Sequence, residues 1–203
     1  VAAGYFLMAA LRPGLMTNMN DVLFWALAYV LALNAYIIFF NKGVPNIRTE
    51  PATQRKIIDI LKSDWEKKGR KPYTIVDFGS GNGQFTREMA RRLPEADIVG
   101  IEIARKSYLW SKALKEWFGL KNLSYKNIDF FAYDAREADA VVFYLEQSLM
   151  ENIGRKLHAE LREGALVISN RFQLGDGWKI MQTVECLTAY PWEKEFHVYY
   201  QEK

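Results

Sequence analysis

The chain has 203 residues, of which half are apolar and a quarter are charged. This balance suits one globular domain with a short extension, and it excludes a disordered tail or a fibrous repeat. A net charge of +3 without a basic block argues against nucleic acid as a partner. The single cysteine, Cys186, excludes an internal disulfide, and two isolated histidines disfavour a metal site.

A long apolar stretch lies near the start of the chain. Residues 22–40 contain no charge, and Asn34 is their only strongly polar side chain. As a helix this stretch measures about 28 Å, close to the hydrocarbon thickness of a bilayer. We therefore expect one transmembrane helix within an N-terminal anchor of residues 1–44, with a buried core helix as the alternative. Residues 1–11 are also apolar and are compatible with an earlier span or an interfacial segment.

The charges beside this stretch predict its orientation, because cationic residues concentrate on the cytoplasmic side of a span. The nearby cations are Lys42, Arg48, Arg55 and Lys56 after the stretch and Arg12 before it. We therefore expect a single-pass membrane protein whose larger, C-terminal part lies on the cytoplasmic side, or on the matrix side in a mitochondrion.

Beyond this stretch, short apolar runs alternate with helical patterns. Helices are expected after Pro51 and at 84–93, 105–118 and 148–161, the third of them with Trp110, Leu114, Trp117 and Phe118 toward the core. Seven strands are expected, at 73–78, 97–103, 123–128, 140–145, 165–169, 179–186 and 195–200. The alternation predicts an α/β fold with a doubly wound, mostly parallel seven-stranded sheet. No helix separates the last two strands, so we expect them to form an antiparallel pair at the edge of the sheet.

A glycine-rich loop follows the first of these strands. It reads Asp77-Phe78-Gly79-Ser80-Gly81-Asn82-Gly83 and leads into the helix at residue 84. Glycines permit a tight turn and let a ligand approach the main chain and the helix N-terminus. Glu102 lies nineteen residues beyond Gly83, at the end of the second strand. A carboxylate in that position can accept both hydroxyls of a ribose, so the loop and the acid together predict a nucleotide site.

The charge of the loop favours one class of nucleotide. A dinucleotide site needs a small residue at position 84, where this chain has Gln84, and Asp77 would repel a pyrophosphate. The same acid is favourable beside a ligand that carries an ammonium and a sulfonium group. The pattern therefore favours S-adenosylmethionine over a nicotinamide cofactor.

Two segments of the sequence resemble a known family. DFGSGNG at 77–83, followed by VGIEI at 99–103, resembles motif I and the ribose-binding acid of class I S-adenosylmethionine-dependent methyltransferases, which have a Rossmann-like fold. More narrowly, residues 141–178 resemble the small membrane-anchored protein-lysine methyltransferases related to the enzyme that acts on ATP synthase subunit c. The resemblance covers about residues 45–203 and implies a methyltransferase domain over that range.

The resemblance also implies roles for individual residues. Asp77, Gly79, Ser80, Gly81 and Gly83 would hold the methionine end of the cofactor, Glu102 the ribose, and Asp129 and Phe130 the adenine, and Ile103 is also expected to contact the cofactor. Three of these residues also have a purely structural alternative: Asp77 as a loop cap, Asp129 as a turn residue and Phe130 as part of the core.

Residues after the fourth and fifth strands are the candidates for the acceptor side. A lysine amine must lose a proton before it attacks; Glu146 could accept that proton or orient the amine, and Asn170 could orient it. Tyr144, Phe172 and Trp178 could form aromatic walls for a cation. Capping, loop structure and core packing are the alternative roles of these five residues.

The combined hypothesis is a membrane-anchored methyltransferase that modifies a lysine of a membrane-associated protein. Its expected partners are the bilayer and that protein, with neither nucleic acid nor a metal. A lipid or a small-molecule amine is the alternative acceptor, and a catalytically inactive methyltransferase-fold scaffold is the alternative that is not an enzyme.

Overall fold

The computed structural model describes residues 19–41, 49–69, 72–186 and 194–202. Contacts within the chain divide it into two compact units, Val1–Pro45 and Asn46–Lys203. The apolar segment 1–11 and the cations at 12, 42 and 48 lie outside the described residues, as does most of the segment between the last two predicted strands.

The described part of the first unit is one helix, α1 (Met19–Asn41). Within the described ranges no helix is both long and apolar enough to cross a bilayer. The predicted transmembrane helix is therefore wrong, and so is the single-pass membrane localisation that was inferred from it.

The second unit is built on a seven-stranded sheet with the order β3-β2-β1-β4-β5-β7-β6. The strands are β1 (Tyr73–Phe78), β2 (Ala96–Ile101), β3 (Leu123–Lys126), β4 (Ala140–Phe143), β5 (Leu166–Asn170), β6 (Ile180–Glu185) and β7 (Glu195–Tyr200). The first five strands pair in parallel, whereas β7 pairs antiparallel with both β5 and β6. The predicted Rossmann-like sheet with an antiparallel edge pair is thus confirmed.

Four helices of the second unit connect or precede the strands: α2 (Pro51–Lys67), α3 (Gln84–Arg92), α4 (Arg105–Trp117) and α5 (Met150–Glu160). Two short 3-10 helices, Phe130–Ala132 and Gln147–Leu149, follow β3 and β4. A proline suits the first turn of α2, because the amide groups there have no partner within the helix and the missing N–H costs no hydrogen bond. Helix α3 ends at Arg92, because Pro94 two residues later cannot continue a helix.

Two apolar clusters lie on opposite faces of the sheet. Neighbouring residues of a strand point to opposite faces, so Ile75 belongs to one cluster and Val76 to the other. The first cluster includes the buried face of α2, with Leu61, and the second includes the buried face of α5, with Ile153 and Leu157. Because helices cover both faces of the sheet, a ligand site is expected at the loops that follow the carboxyl ends of the parallel strands.

The face of α4 that packs on the sheet differs from the expected one. Trp117 is 83% exposed, Trp110 and Phe118 are also exposed, and the buried residue of this helix is Ser111. Ser111 lies next to the glycine loop, and its hydroxyl donates a hydrogen bond to the carbonyl oxygen of Gly81 over 3.2 Å. A small residue is needed where the helix approaches that loop, and the tryptophans are turned toward solvent.

Candidate active site

A cavity lies at the carboxyl ends of β1, β4 and β5. The glycine loop after β1 forms one wall, and the ends of β4 and β5 form another with Tyr144 and Asn170. Thr49 and Gln54, from the start of α2, complete the polar lining.

The glycine loop is held in a turn that side chains would obstruct. Gly79, Gly81 and Gly83 all have positive φ angles, of 76°, 56° and 71°. The amides of Gly79 and Ser80 both donate to the carbonyl oxygen of Ile101, each over 2.9 Å, which ties the loop to β2. A Cβ atom at Gly83 would lie 2.2 Å from the hydroxyl of Tyr125. The backbone of the loop is therefore open to a ligand on the cavity side and tightly packed on the other.

Asp77 lies in the floor of the cavity with 5% of its surface exposed. Its carboxylate accepts a hydrogen bond from the hydroxyl of Thr86 over 3.2 Å. Burial raises the pKa of Asp77 to about 7; the bond from Thr86 opposes this shift, and the nearby carboxylate of Glu102 adds to it. Because no cation is paired with this acid among the described residues, a positively charged ligand would stabilise its ionised form.

Glu102, which was predicted to bind ribose, also holds the loop. One carboxylate oxygen accepts the amide of Gly81 over 2.8 Å and the other accepts the amide of Ala104 over 2.6 Å. Burial raises the pKa of Glu102, while its backbone hydrogen bonds lower it. The side-chain amide of Asn127 donates to the carbonyl oxygens of Glu102 and Ile103, over 2.7 and 3.1 Å, and so fixes the end of β2.

The predicted adenine side lies beyond β3. Asp129 caps the short helix that follows, accepting the amide of Phe131 over 2.9 Å. The ring of Phe130 stacks on Phe78, with 5.4 Å between centroids, and packs against Phe131. Both structural alternatives, a turn residue and a core contact, are thus observed for Asp129 and Phe130. Contacts with adenine remain a prediction for both.

The two predicted catalytic residues lie in different surroundings. Asn170 lines the cavity and is 2% exposed, and its side-chain nitrogen donates to the hydroxyl of Thr49 over 3.4 Å. Glu146 is exposed, precedes the short helix Gln147–Leu149 and accepts the hydroxyl of Ser148 over 3.5 Å. Because Glu146 does not line the cavity, the structure brings Asn170 but not Glu146 to the glycine loop.

The three aromatic residues that were predicted to surround a cationic group lie in different places. Tyr144 lines the cavity. Trp178 instead lies over α5, where its indole nitrogen donates to the carbonyl oxygen of Gly154 over 3.0 Å. The Phe172 ring lies under the guanidinium of Arg171, 4.6 Å away. The packing alternative therefore describes Trp178, and Tyr144 is the aromatic residue of the three that can face a ligand in the cavity.

Sequence reasoning did not single out four residues of the site. Thr49, Gln54 and Asn82 line the cavity, and Tyr125 covers the back of the glycine loop, donating to the carbonyl oxygen of Gly83 over 3.2 Å. Thr49 and Gln54 lie about 120 residues from Asn170, so no local pattern connects them. A signal did exist for Tyr125, because Gly100 on the neighbouring strand leaves room for its ring: a Cβ there would lie 2.5 Å from it.

These features fit S-adenosylmethionine. The loop offers open backbone next to the N-terminus of α3, and the buried acid Asp77 would meet the positive charges of the ligand. The groups expected at the methionine end, Asp77 and the glycine loop, are in contact with the cavity, while Glu102 lies directly behind the loop.

Comparison with known proteins identifies the class. The protein is a class I S-adenosylmethionine-dependent methyltransferase, as its sheet and its glycine loop indicate. The model of a family described as the ANTKMT methyltransferase domain matches residues 77–182, and the chain belongs to this family.

Relatives of this chain include other methyltransferases. It is 26% identical over 143 residues to a protein-lysine N-methyltransferase of Saccharolobus islandicus, and this match covers 70% of this chain and 84% of the relative. It is 40% identical over 67 residues to a tRNA (guanine-N(7)-)-methyltransferase of Thermotoga maritima, but this match covers 32% of the chain and 21% of the relative. The chain thus spans about a fifth of that tRNA enzyme.

Among solved structures, an RNA methyltransferase from Salinibacter ruber in complex with S-adenosyl-L-homocysteine superimposes with a TM-score of 0.65. The two proteins are 22% identical, and the superposition covers 77% of this chain and 95% of the other. At this identity the similarity supports the fold.

Proposed function

We propose that the protein transfers a methyl group from S-adenosylmethionine to the side-chain amine of a lysine in a protein acceptor, and that residues 45–203 form the methyltransferase domain. The observation that carries the proposal is the shared cavity, in which the glycine loop faces Asn170 and Tyr144 from the ends of two other strands. The similarity to a protein-lysine N-methyltransferase over 70% of the chain supports the choice of acceptor.

The two walls of the cavity suit the two halves of this reaction. When bound, S-adenosylmethionine supplies a methyl group whose carbon a nucleophile attacks in line with the C–S bond, and the sulfur leaves with the bonding electron pair. The glycine loop and Asp77 would hold the donor's charged end, and Glu102 would hold both the loop and the ribose. The protein's main contribution is then alignment of the two reactants and exclusion of water.

The amine must be neutral when it attacks. Its ordinary pKa of about 10.4 means that deprotonation at pH 7 costs roughly 4–5 kcal/mol. Apolar walls from Ile57, Phe85 and Ile168 would lower this cost, because desolvation disfavours an ammonium group. Asn170 would then accept a hydrogen bond from the neutral amine and orient its lone pair.

The acceptor proposal does not extend to membrane-embedded proteins, since the predicted span that motivated them was wrong. The tRNA enzyme in the comparison matches only about a third of this chain, whereas the protein-lysine enzyme matches more than two thirds. Together with the small net charge and the lack of a basic block, this coverage favours a protein acceptor over RNA.

The test is methyl transfer to a mixture of possible acceptors. The full chain is incubated with S-adenosylmethionine labelled in its methyl group and with a cell extract, and the products are separated into protein, nucleic acid and lipid. We expect label in protein that is recovered as methyl-lysine after complete hydrolysis. The matched control is Glu102→Ala, which should abolish the labelling. Label in the lipid or nucleic-acid fraction would contradict the proposal.

A further inference from the structure

We propose that Thr49 binds the methyl acceptor and that Gln54 is a positioning residue that acts through Thr49. The inference rests on the proposed function, because it assumes that an amine enters the cavity from the side opposite the glycine loop. It concerns a segment before and within the first turn of α2 that contributes neither to the sheet nor to the donor loop.

Thr49 joins two distant parts of the chain at the wall of the cavity. It is 9% exposed, and its hydroxyl accepts a hydrogen bond of 3.4 Å from the side-chain nitrogen of Asn170. Asn170 ends β5, 121 residues later in the sequence. Both side chains line the cavity that also contains Asp77 and the glycine loop. Two polar groups from separate elements therefore face the place where the methyl group would be transferred.

Gln54 fixes the main chain of Thr49. Its side-chain nitrogen donates to the carbonyl oxygen of Thr49 over 2.8 Å, and the side chain is 4% exposed. The backbone amide of Gln54 donates to the carbonyl oxygen of Glu50 over 2.9 Å, which places this residue in the first turn of α2. Thr49 is thereby held on two sides, through its carbonyl by Gln54 and through its hydroxyl by Asn170.

The chemistry of the amine explains why such groups are needed. A lysine amine brings only N–H donors to its surroundings while its lone pair points at the methyl carbon. Its orientation must then come from acceptors, and the Thr49 hydroxyl oxygen and the Asn170 carbonyl oxygen are acceptors on the cavity wall. The lysine ammonium first gives one proton to water; in the transfer the N–C bond then forms as the C–S bond breaks, the C–S electron pair stays on sulfur, and the product is a methylammonium.

Two analogues of the donor allow a test that needs no identified acceptor. S-adenosylhomocysteine lacks the methyl group, whereas sinefungin carries an amine on a carbon in place of the sulfur, so that its amine points toward the acceptor side. Calorimetry on the full chain measures the Kd of each. The change in the ratio of the two values between wild type and variant isolates the contacts of the amine, because the adenosine and amino-acid ends of the two ligands are the same.

We expect the wild-type protein to bind sinefungin more tightly, and Thr49→Val to reduce this preference by about tenfold, the size of one lost hydrogen bond to a charged group. Gln54→Leu should reduce it in the same direction, with the Kd of S-adenosylhomocysteine unchanged in both variants. The matched control is Thr53→Val. Thr53 is fully buried on the same helix, its hydroxyl has no hydrogen-bond partner in the described part of the chain, and it does not line the cavity.

The outcomes separate this inference from the proposed function. If the wild-type protein prefers sinefungin and Thr49→Val keeps the full preference, the role of Thr49 is refuted while an amine acceptor remains supported. If Thr49→Val weakens both analogues equally, Thr49 belongs to the donor site and the inference also fails. A wild-type protein that shows no preference for the amine would count against both the inference and the proposed lysine acceptor.

Discussion

The carboxyl group of Asp77 lies in surroundings that favour its neutral form. It is 5% exposed, and burial raises its pKa to about 7. A cationic ligand beside it would lower that pKa again, so binding would release a proton whenever the acid is neutral beforehand. The residue thus links the charge of the ligand to the pH of the solution.

We predict that affinity for S-adenosylmethionine rises between pH 5.5 and pH 7.5. Below its pKa of about 7, Asp77 must lose a proton before it can attract the cation, so each lower pH unit weakens binding by up to about tenfold. Asp77→Asn should bind more weakly at pH 7.5 and show a flatter profile. Calorimetry across this range is the measurement, and an Asp77→Asn profile as steep as the wild type's would refute the role of Asp77.

Gly83 is the loop residue at which a side chain has least room. Its φ angle is positive, and an added Cβ would lie 2.2 Å from the Tyr125 hydroxyl and 2.8 Å from that of Ser111. We predict that Gly83→Ala lowers the free energy of unfolding by about 2–4 kcal/mol, from backbone strain and overpacking together. Chemical denaturation measures the change.

A matched control for this substitution lies at the end of α4. Gly119 also has a positive φ angle, but an added Cβ there would meet nothing within 4 Å. Gly119→Ala should therefore cost only the backbone strain, about 1 kcal/mol. Adding Tyr125→Phe to Gly83→Ala should restore part of the lost stability, and equal losses in Gly83→Ala and Gly119→Ala would show that packing around the loop is not the cause.

At the scale of elements, the helices are held to the sheet by specific polar contacts as well as by the apolar clusters. Asn122 precedes β3, and its side-chain nitrogen lies 3.0–3.1 Å from the carbonyl oxygens of Ala90, Leu93 and Ala96. These carbonyls belong to the end of α3 and the start of β2. One side chain therefore joins three consecutive elements on the side of the sheet away from the cavity.

We predict that Asn122→Ala lowers the free energy of unfolding by about 1–3 kcal/mol, because the carbonyls lose their donor. Asn122→Asp should cost more, since a carboxylate would face three carbonyl oxygens. Denaturant titration gives both values. Asn152→Asp on the exposed surface of α5 is the control and should change stability little. Affinity for S-adenosylhomocysteine should persist in the folded Asn122→Ala protein, and its complete loss would place this contact in the site instead.

The order and kind of the strands could be predicted from short patterns, but the orientation of α4 could not. Strands such as Tyr73–Phe78 are apolar runs bounded by polar residues, and that signal is local. The face that α4 presents to the sheet depends on what lies beneath it. Gly81 and Ser111 meet there, so Trp110 and Trp117, the two largest side chains of the helix, are exposed.

At the scale of the whole molecule, the buried Asp77 opposes folding at neutral pH. Its pKa is raised in the folded protein relative to an ordinary value of 3.8. The folded state therefore holds the proton more tightly than the unfolded chain. Protonation of Asp77 therefore stabilises the folded protein. This stabilisation is fully present below about pH 4 and is lost as the pH rises to about 7.

We predict that Asp77→Asn is more stable than the wild-type protein at pH 8, by up to about 4 kcal/mol, although it binds the cofactor more weakly. Asparagine keeps a hydrogen-bond acceptor for Thr86 and needs no desolvated charge. The difference between the two proteins should shrink as the pH falls toward 4. Denaturant titrations at several pH values measure it, and a stability difference that does not vary with pH would show that Asp77 does not titrate as proposed.

The sequence by itself determined the α/β order, the glycine loop and the identity of the two acids, Asp77 and Glu102. These features depend on residues that are near one another in the chain and on the charge they carry. The tertiary structure decided which of the remaining polar residues share a cavity. It brought Thr49 and Gln54 to Asn170 and left Glu146 outside, because the carboxyl ends of β1, β4 and β5 converge only when the parallel strands pair.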